Sequence, residues 1–140
     1  MQYHFQKPSF LFSFVFTACL IVSNSTTVQA QEKNTLQLKG LKEKDSSIKI
    51  LDVRKESEYS SEHIVGVQNA PLDFINDSMA AIDKNQTYYV HCQGGYRSMI
   101  FISILKARGF EHLIDIKGGY KELKESGKFK TTDYSIPKTH

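Results

Sequence analysis

Between Ile48 and Ile116 the chain alternates short β-branched or aromatic runs with stretches of helical spacing, and the connections are brief. Few folds accommodate that order. Ile48-Lys49-Ile50-Leu51-Asp52-Val53 reads as a buried strand, and Arg54 to Ser61 reads as a helix with Arg54 and Glu58 spaced to pair. Val65 to Asn69 is a brief strand closed by Ala70-Pro71, and Leu72, Ile75, Met79 and Ile82 form the core stripe of the next helix. Asp83 to Gln86 turns the chain into a strand ending at His91. Met99 to Ala107 is a helix apolar on most sides, hence buried, and Gly109 stops it. His112 to Ile116 is a last strand, Gly118-Gly119 a turn, and Tyr120 to Glu125 a short helix. Residues 31–47 are polar, with Leu36, Leu38 and Leu41 anchoring an edge strand and a weak helix. The expected class is therefore α/β, a small parallel sheet of about five strands flanked by helices through right-handed crossovers.

One connection carries the chemistry. His91-Cys92-Gln93-Gly94-Gly95-Tyr96-Arg97-Ser98 joins the Thr87 to Val90 run to the Met99 helix, so Cys92 falls at the carboxyl end of a strand. At that edge of a parallel sheet, the next helix aims unpaired N–H groups and its positive dipole end at the crevice. Paired glycines let successive N–H groups turn inward as an anion nest, and the thiol is the side chain there able to become that anion. Making it mostly thiolate at neutral pH requires a shift of roughly 2 units from about 8.5, or about 2.7 kcal/mol. A helix N-terminus supplies up to ~2 kcal/mol and one hydrogen bond to a charged group roughly 1.5–3. The loop therefore suffices without Arg97. A lone Cys is more often an inert core thiol, but Gly-Gly and a helix start directly after it do not suit a packed core.

The first 30 residues differ in kind. Lys7 is their one charged side chain, Phe10 to Val22 is nearly continuous apolar, and Ser23 to Ala30 is small and polar. That is the form of a secretory leader, with peptidase cleavage after Ala30 and 31–140 as a single exported domain, periplasmic or secreted. About 13 apolar residues fall short of the 18 or more needed to span a bilayer. A lipoprotein acylated at Cys19 is a weaker alternative, because Phe16-Thr17-Ala18-Cys19 fits a lipobox poorly and Leu20-Ile21-Val22 continues the apolar run. Loss of the leader leaves Cys92 as the one thiol of two in the chain, so no internal disulfide can form. A net charge of +3, less Lys7, is too mild to imply a nucleic-acid or membrane partner.

Taken together, Leu51-Asp52-Val53-Arg54 with Glu58-Tyr59, His63 to Pro71, Cys92 to Ser98, Gly109-Phe110 and Lys117-Gly118-Gly119-Tyr120 resemble the rhodanese-like family in order and spacing. The resemblance covers about residues 36–126, and five blocks in order are far more specific than any one. It implies a sulfurtransferase: Cys92 takes a sulfane sulfur from thiosulfate or a persulfide and passes it to a nucleophile such as a thiol or cyanide. Catalysis would rest on Cys92, with Gln93, Gly94, Gly95, Tyr96 and Arg97 cradling the bound sulfur in a monomer without cofactor. Val67 and Tyr120 stand where the family more often has Ala and Trp, and read as packing changes.

The neighbouring polar residues have plainer readings. Asp52 and Arg54 suit a fold-holding role, with Arg54 on Glu58, and His63 suits a hydrogen-bonded turn. Strand alternation points His91 away from Cys92, so it is not expected to be the base. Five His and one mature Cys show no metal-ligand spacing. Two rival functions remain open. One is an oxyanion enzyme, phosphatase-like or arsenate-reductase-like, since His91-Cys92 and Arg97-Ser98 resemble a phosphatase loop shortened to C-x4-R. The other is a non-catalytic binding module of the same fold. In the sulfur reading, the five residues from Gln93 to Arg97 separate Cys92 from a helix beginning at Ser98.

Overall fold

The structure is a computed structural model that describes residues 32–134. The expected leader, 1–30, with Cys19 and its cleavage point, lies outside the described residues. Five strands, β1 (Glu32–Lys33), β2 (Lys49–Asp52), β3 (Gln68–Asn69), β4 (Tyr88–His91) and β5 (Leu113–Ile116), form one sheet in the order β1-β5-β4-β2-β3. Every pairing is parallel. The crossovers carry α1 (Thr35–Lys44), α2 (Glu56–Ser61), α3 (Ile75–Ala80) and α4 (Tyr96–Ala107), and α5 (Gly119–Glu125) follows β5. The α/β class and the helix-flanked parallel sheet are those the sequence predicts.

Alternation along the central strands builds two cores. Leu51, Val90 and Leu113 face one side and pack with Phe101, Ile102 and Leu105 of α4, while Ile50, Tyr89 and Ile114 face the other with Leu38, Tyr120 and Leu123. All four residues of β4 and of β5 are buried, His91 and Asp115 included, which is why those strands are mostly apolar and do not alternate. Each such large side chain withdrawn from water favours folding by roughly 1.5–3 kcal/mol.

Several elements depart from the expected ones. Only Gln68 and Asn69 of the 65–69 run pair with β2, because Gly66 turns at φ +80° and Ile64 bridges antiparallel to Thr131 instead. The stripe from Leu72 is split into a 3-10 turn, Leu72–Phe74, and the short α3, with Ile82 buried beyond its end. α4 is not buried all round: Phe101, Ile102 and Leu105 are, whereas Tyr96 and Met99 are 80% and 50% exposed. It also starts two residues earlier than expected, at Tyr96, since Gly95 at φ +111° takes the left-handed cap. Arg54 precedes α2 rather than lying in it, so the four-residue spacing to Glu58 does not put the two on one helical face.

The sheet order positions the site. The chain leaves β2 toward the β3 edge and leaves β4 toward β5, so the crossovers from these adjacent strands diverge above their carboxyl ends. A crevice opens at such a switch point, and the residues beside it here are Asp52 to Arg54 and Cys92 to Gly95.

Candidate active site

Cys92 directly follows β4, and its side chain belongs to the core cluster of Val90 and Phe101 at 2% exposure. The Gly95 N–H donates to its Sγ at 3.1 Å, and Ser98 Oγ lies 3.7 Å from the same atom and 2.9 Å from the Gly95 carbonyl. Burial alone would push the thiol up. The backbone N–H groups of Ser98, Gly95 and Gly94 and the Ser98 hydroxyl outweigh it, so the thiol sits below its ordinary value. The left-handed Gly95 makes this possible: it starts α4 at once and turns the first unpaired N–H groups of the helix back toward the sulfur.

A second helix terminus fixes the loop from behind. Tyr120 N–H donates to the Cys92 carbonyl at 2.7 Å and Lys121 N–H to the Gln93 carbonyl at 3.2 Å, so the start of α5 holds the same two peptides whose sulfur α4 faces. The fit is close. A Cβ on Gly119 would lie 2.5 Å from the Cys92 carbonyl oxygen and 2.9 Å from Gln93 backbone atoms, and Gly119 is at φ +60°.

Arg54 braces the loop from the side. Its Nε and Nη2 bind the Asp52 carboxylate at 2.7–3.0 Å, Nη2 also donates to the Glu62 carbonyl at 2.9 Å, and Nη1 donates to Gln93 Oε1 at 3.3 Å. Its guanidinium carbon lies 3.9 Å from the Tyr120 ring centroid. The expected Arg54–Glu58 pair does not form. Glu58 binds Arg97 instead, Oε2 to Nη1 at 2.5 Å and Oε1 to Nη2 at 3.0 Å. The Tyr120 ring packs on the Arg54 guanidinium, which in turn holds Gln93.

Within the stretch Gln93 to Arg97, the backbone amides of Gly94 and Gly95 face the sulfur, and the Gln93 side chain is tied to Arg54. The Tyr96 side chain stands in solvent and that of Arg97 is turned to Glu58. Sequence reasoning stopped one residue short of Ser98, whose signal is a hydroxyl three places inside a helix capped by glycine. It also gave Glu58 the wrong partner. His91 lies on the opposite face of β4 with Tyr89 and Tyr120, its Nδ1 3.3 Å from the Cys92 carbonyl and 3.9 Å from Asp52. Burial holds its ring well below 6.5, against the pull of Asp52, so it is neutral. His63 bonds the Tyr59 carbonyl through Nδ1 at 2.8 Å, away from the loop.

The sequence profile of the rhodanese-like domain matches residues 34–126. The chain belongs to the rhodanese-like domain family. A thiosulfate sulfurtransferase of Escherichia coli is 35% identical over 75 residues, which is 52% of this chain and 71% of that protein. A tRNA sulfurtransferase of Thermoplasma acidophilum is 36% identical over 99 residues, 68% of this chain but 19% of that protein. The chain spans 49% and 63% of the length of two Bacillus subtilis relatives. Among solved structures, the rhodanese-like domain of the Anabaena protein Alr3790 superposes with a TM-score of 0.68 at 28% identity, over 77% of this chain and 82% of that one. The rhodanese-like chain therefore has sulfurtransferases among its relatives.

Proposed function

We propose that this rhodanese-like domain is a sulfurtransferase of the thiosulfate:cyanide type, working through a persulfide on Cys92. The observation that carries the reading is the buried sulfur held 3.1 Å from the Gly95 N–H at the capped start of α4, with its thiol lowered by that ring of donors. Such a ring suits a thiolate in the resting protein and a persulfide anion after transfer, because its N–H groups are fixed before charge develops. The Cys92 thiolate attacks the outer sulfur of the donor and forms a new S–S bond. The donor's own S–S bond breaks and its electron pair leaves with sulfite when thiosulfate is the donor. A thiol or cyanide then takes the outer sulfur and returns the Cys92 thiolate. The net charge is the same before and after each step, and the transferred atom stays a sulfane sulfur.

The test is intact mass. Thiosulfate should add one sulfur atom to the purified protein, cyanide should remove it as thiocyanate, and Cys92→Ser should neither gain the mass nor turn over. A chain that stays unloaded, or a Cys92→Ser variant that keeps substantial activity, overturns the reading. p-Nitrophenyl phosphate, assayed beside thiosulfate, separates it from the oxyanion rival, for which efficient hydrolysis is required. Export through residues 1–30 is proposed with it and is tested by the N-terminal sequence of the protein recovered outside the cytoplasm.

A further inference from the structure

Arg97 is the cation of the catalytic loop, yet it is committed elsewhere. Both its terminal nitrogens are taken by Glu58, and the two side chains are 28% and 33% exposed, at the mouth rather than the interior. Glu58 is itself anchored, because its Oε2 accepts the Lys55 N–H at 3.2 Å where α2 begins. The carboxylate is thus fixed to a helix end and draws the guanidinium toward α2. Among the described residues the Gly95 N–H and the Ser98 hydroxyl bond Sγ, while both terminal nitrogens of Arg97 bond Glu58.

Beside this pair lies a cleft of about 260 Å³, bounded by Arg54, Ser57, Glu58, Glu62, Gln93 and Tyr134. It shares Gln93 with the loop. Its charges cancel in pairs, Arg54 on Asp52, Glu58 on Arg97 and Glu62 on Lys124. A dianionic donor therefore meets no uncommitted cation among the described residues that bound the cleft. The carrier of a small polar thiol meets the Ser57 hydroxyl, the Gln93 amide and the Tyr134 phenol, with room to sit.

We propose that Glu58 is a positioning residue that sets donor preference: by holding Arg97 it denies a dianion its counter-charge at the mouth, and it leaves the site matched to the persulfide of a small polar thiol, whose carrier occupies the cleft. This rests on the sulfurtransferase reading of Cys92 and names the donor class within it. With such a donor, R–S–SH, the Cys92 thiolate attacks the terminal sulfur, the donor S–S bond breaks, and the electron pair leaves on RS⁻. The proton stays on the transferred sulfur.

The experiment compares thiosulfate with 2-hydroxyethyl persulfide in the native protein, Glu58→Gln and Glu58→Gln/Arg97→Gln, by steady-state kinetics with cyanide as acceptor. Gln keeps the acceptor that the Lys55 N–H needs, so α2 retains its cap, and a thermal melt verifies the fold. The native protein should prefer the persulfide. Freeing Arg97 in Glu58→Gln should shift the ratio of kcat/KM toward thiosulfate by roughly fivefold, the scale of one partly exposed charge contact, through KM rather than kcat. The double variant should lose that gain, because it runs through Arg97. An unchanged ratio in Glu58→Gln, or a fall of both donors alike through kcat, overturns the proposal while leaving sulfur transfer intact. Failure of both donors to load Cys92 in the native protein overturns this proposal and the sulfurtransferase reading together.

Discussion

Arg54 binds Asp52 with three hydrogen bonds from its guanidinium while both side chains are at most 4% exposed. The pair ties the end of β2 to the Cys92 loop, since the same guanidinium holds Gln93 and covers Tyr120. Removing one partner strands the other charge inside the protein, which costs about 3–5 kcal/mol. Arg54→Ala should therefore lose that much in urea unfolding. Arg54→Lys should recover little of it, because an ammonium cannot make the forked contact. Asp52→Ala/Arg54→Ala should cost less than the two single variants added together. Additive losses would show that the two charges are not coupled.

Ser98 supplies the side-chain part of the thiol activation, beside the backbone N–H groups. Its hydroxyl has one proton, shared between the Gly95 carbonyl at 2.9 Å and Sγ at 3.7 Å, and moves to the sulfur when that becomes anionic. Ser98→Ala keeps the helix and the backbone donors but loses this bond. The thiol should rise toward its ordinary value, and alkylation by iodoacetamide at pH 7 should slow by roughly threefold to tenfold. The pH profile of alkylation is the measurement. An unmoved profile would assign the whole effect to the backbone.

How far the chain could be read follows from which forces are local. β2, β4 and β5 were visible because strands covered on both faces are rich in apolar residues and do not alternate, even with Asp52, His91 and Asp115 among them, and the Gly94-Gly95 pair announced a turn in which Gly95 takes the positive φ that favours glycine. The partners of Arg54 and Glu58 were not visible. Their four-residue spacing predicts a helical pair, but α2 begins at Glu56, after Arg54, and the true partners, Asp52 and Arg97, are set by strand ends and by α4. The clamp of Tyr120 and Lys121 on the loop was hidden for the same reason, since it depends on the neighbouring position of β5 and β4 in the sheet.

His91 gives the fold a sensitivity to mild acid. Its ring is held below 6.5 chiefly by burial, with Arg54 adding to the effect and Asp52 and the Cys92 carbonyl opposing it. The unfolded chain therefore takes up the proton first, so the stability that neutral His91 contributes is complete above pH 6.5 and is lost as pH falls toward the folded value. The slope reaches at most about 1.4 kcal/mol per pH unit. Glu58 and Glu62, held below 4.5 by Arg97 and Lys124, add their own loss only at lower pH. Between pH 6.5 and 4.5, the stability read from urea unfolding should fall with acid in the native protein and fall less steeply in His91→Phe. Equal slopes in both proteins would place the sensitivity elsewhere.

Gly119 should be as necessary to the reaction as residues that stand beside the sulfur, although it lies outside the loop. Two costs fall on any side chain there. One is backbone strain at φ +60°, about 1 kcal/mol for Ala. The other is contact, since a Cβ would come 2.5 Å from the Cys92 carbonyl oxygen and 2.9 Å from Gln93, both backbone and unable to swing aside. Gly66 isolates the first cost: its φ is +80°, and a Cβ there meets nothing within 4 Å. Gly66→Ala should lose about 1 kcal/mol and keep its turnover. Gly119→Ala must move the loop, lengthening the bonds from Tyr120 N–H and Lys121 N–H that hold the Cys92 and Gln93 carbonyls. The N–H ring around Sγ is displaced with them, so sulfur transfer should fall by about 100-fold or more, the scale of a 1 Å misplacement in a reacting site. Urea unfolding and the thiosulfate:cyanide assay on both variants decide it. A Gly119→Ala protein as active as Gly66→Ala would show that the contact between α5 and the loop has no part in setting the geometry of the sulfur.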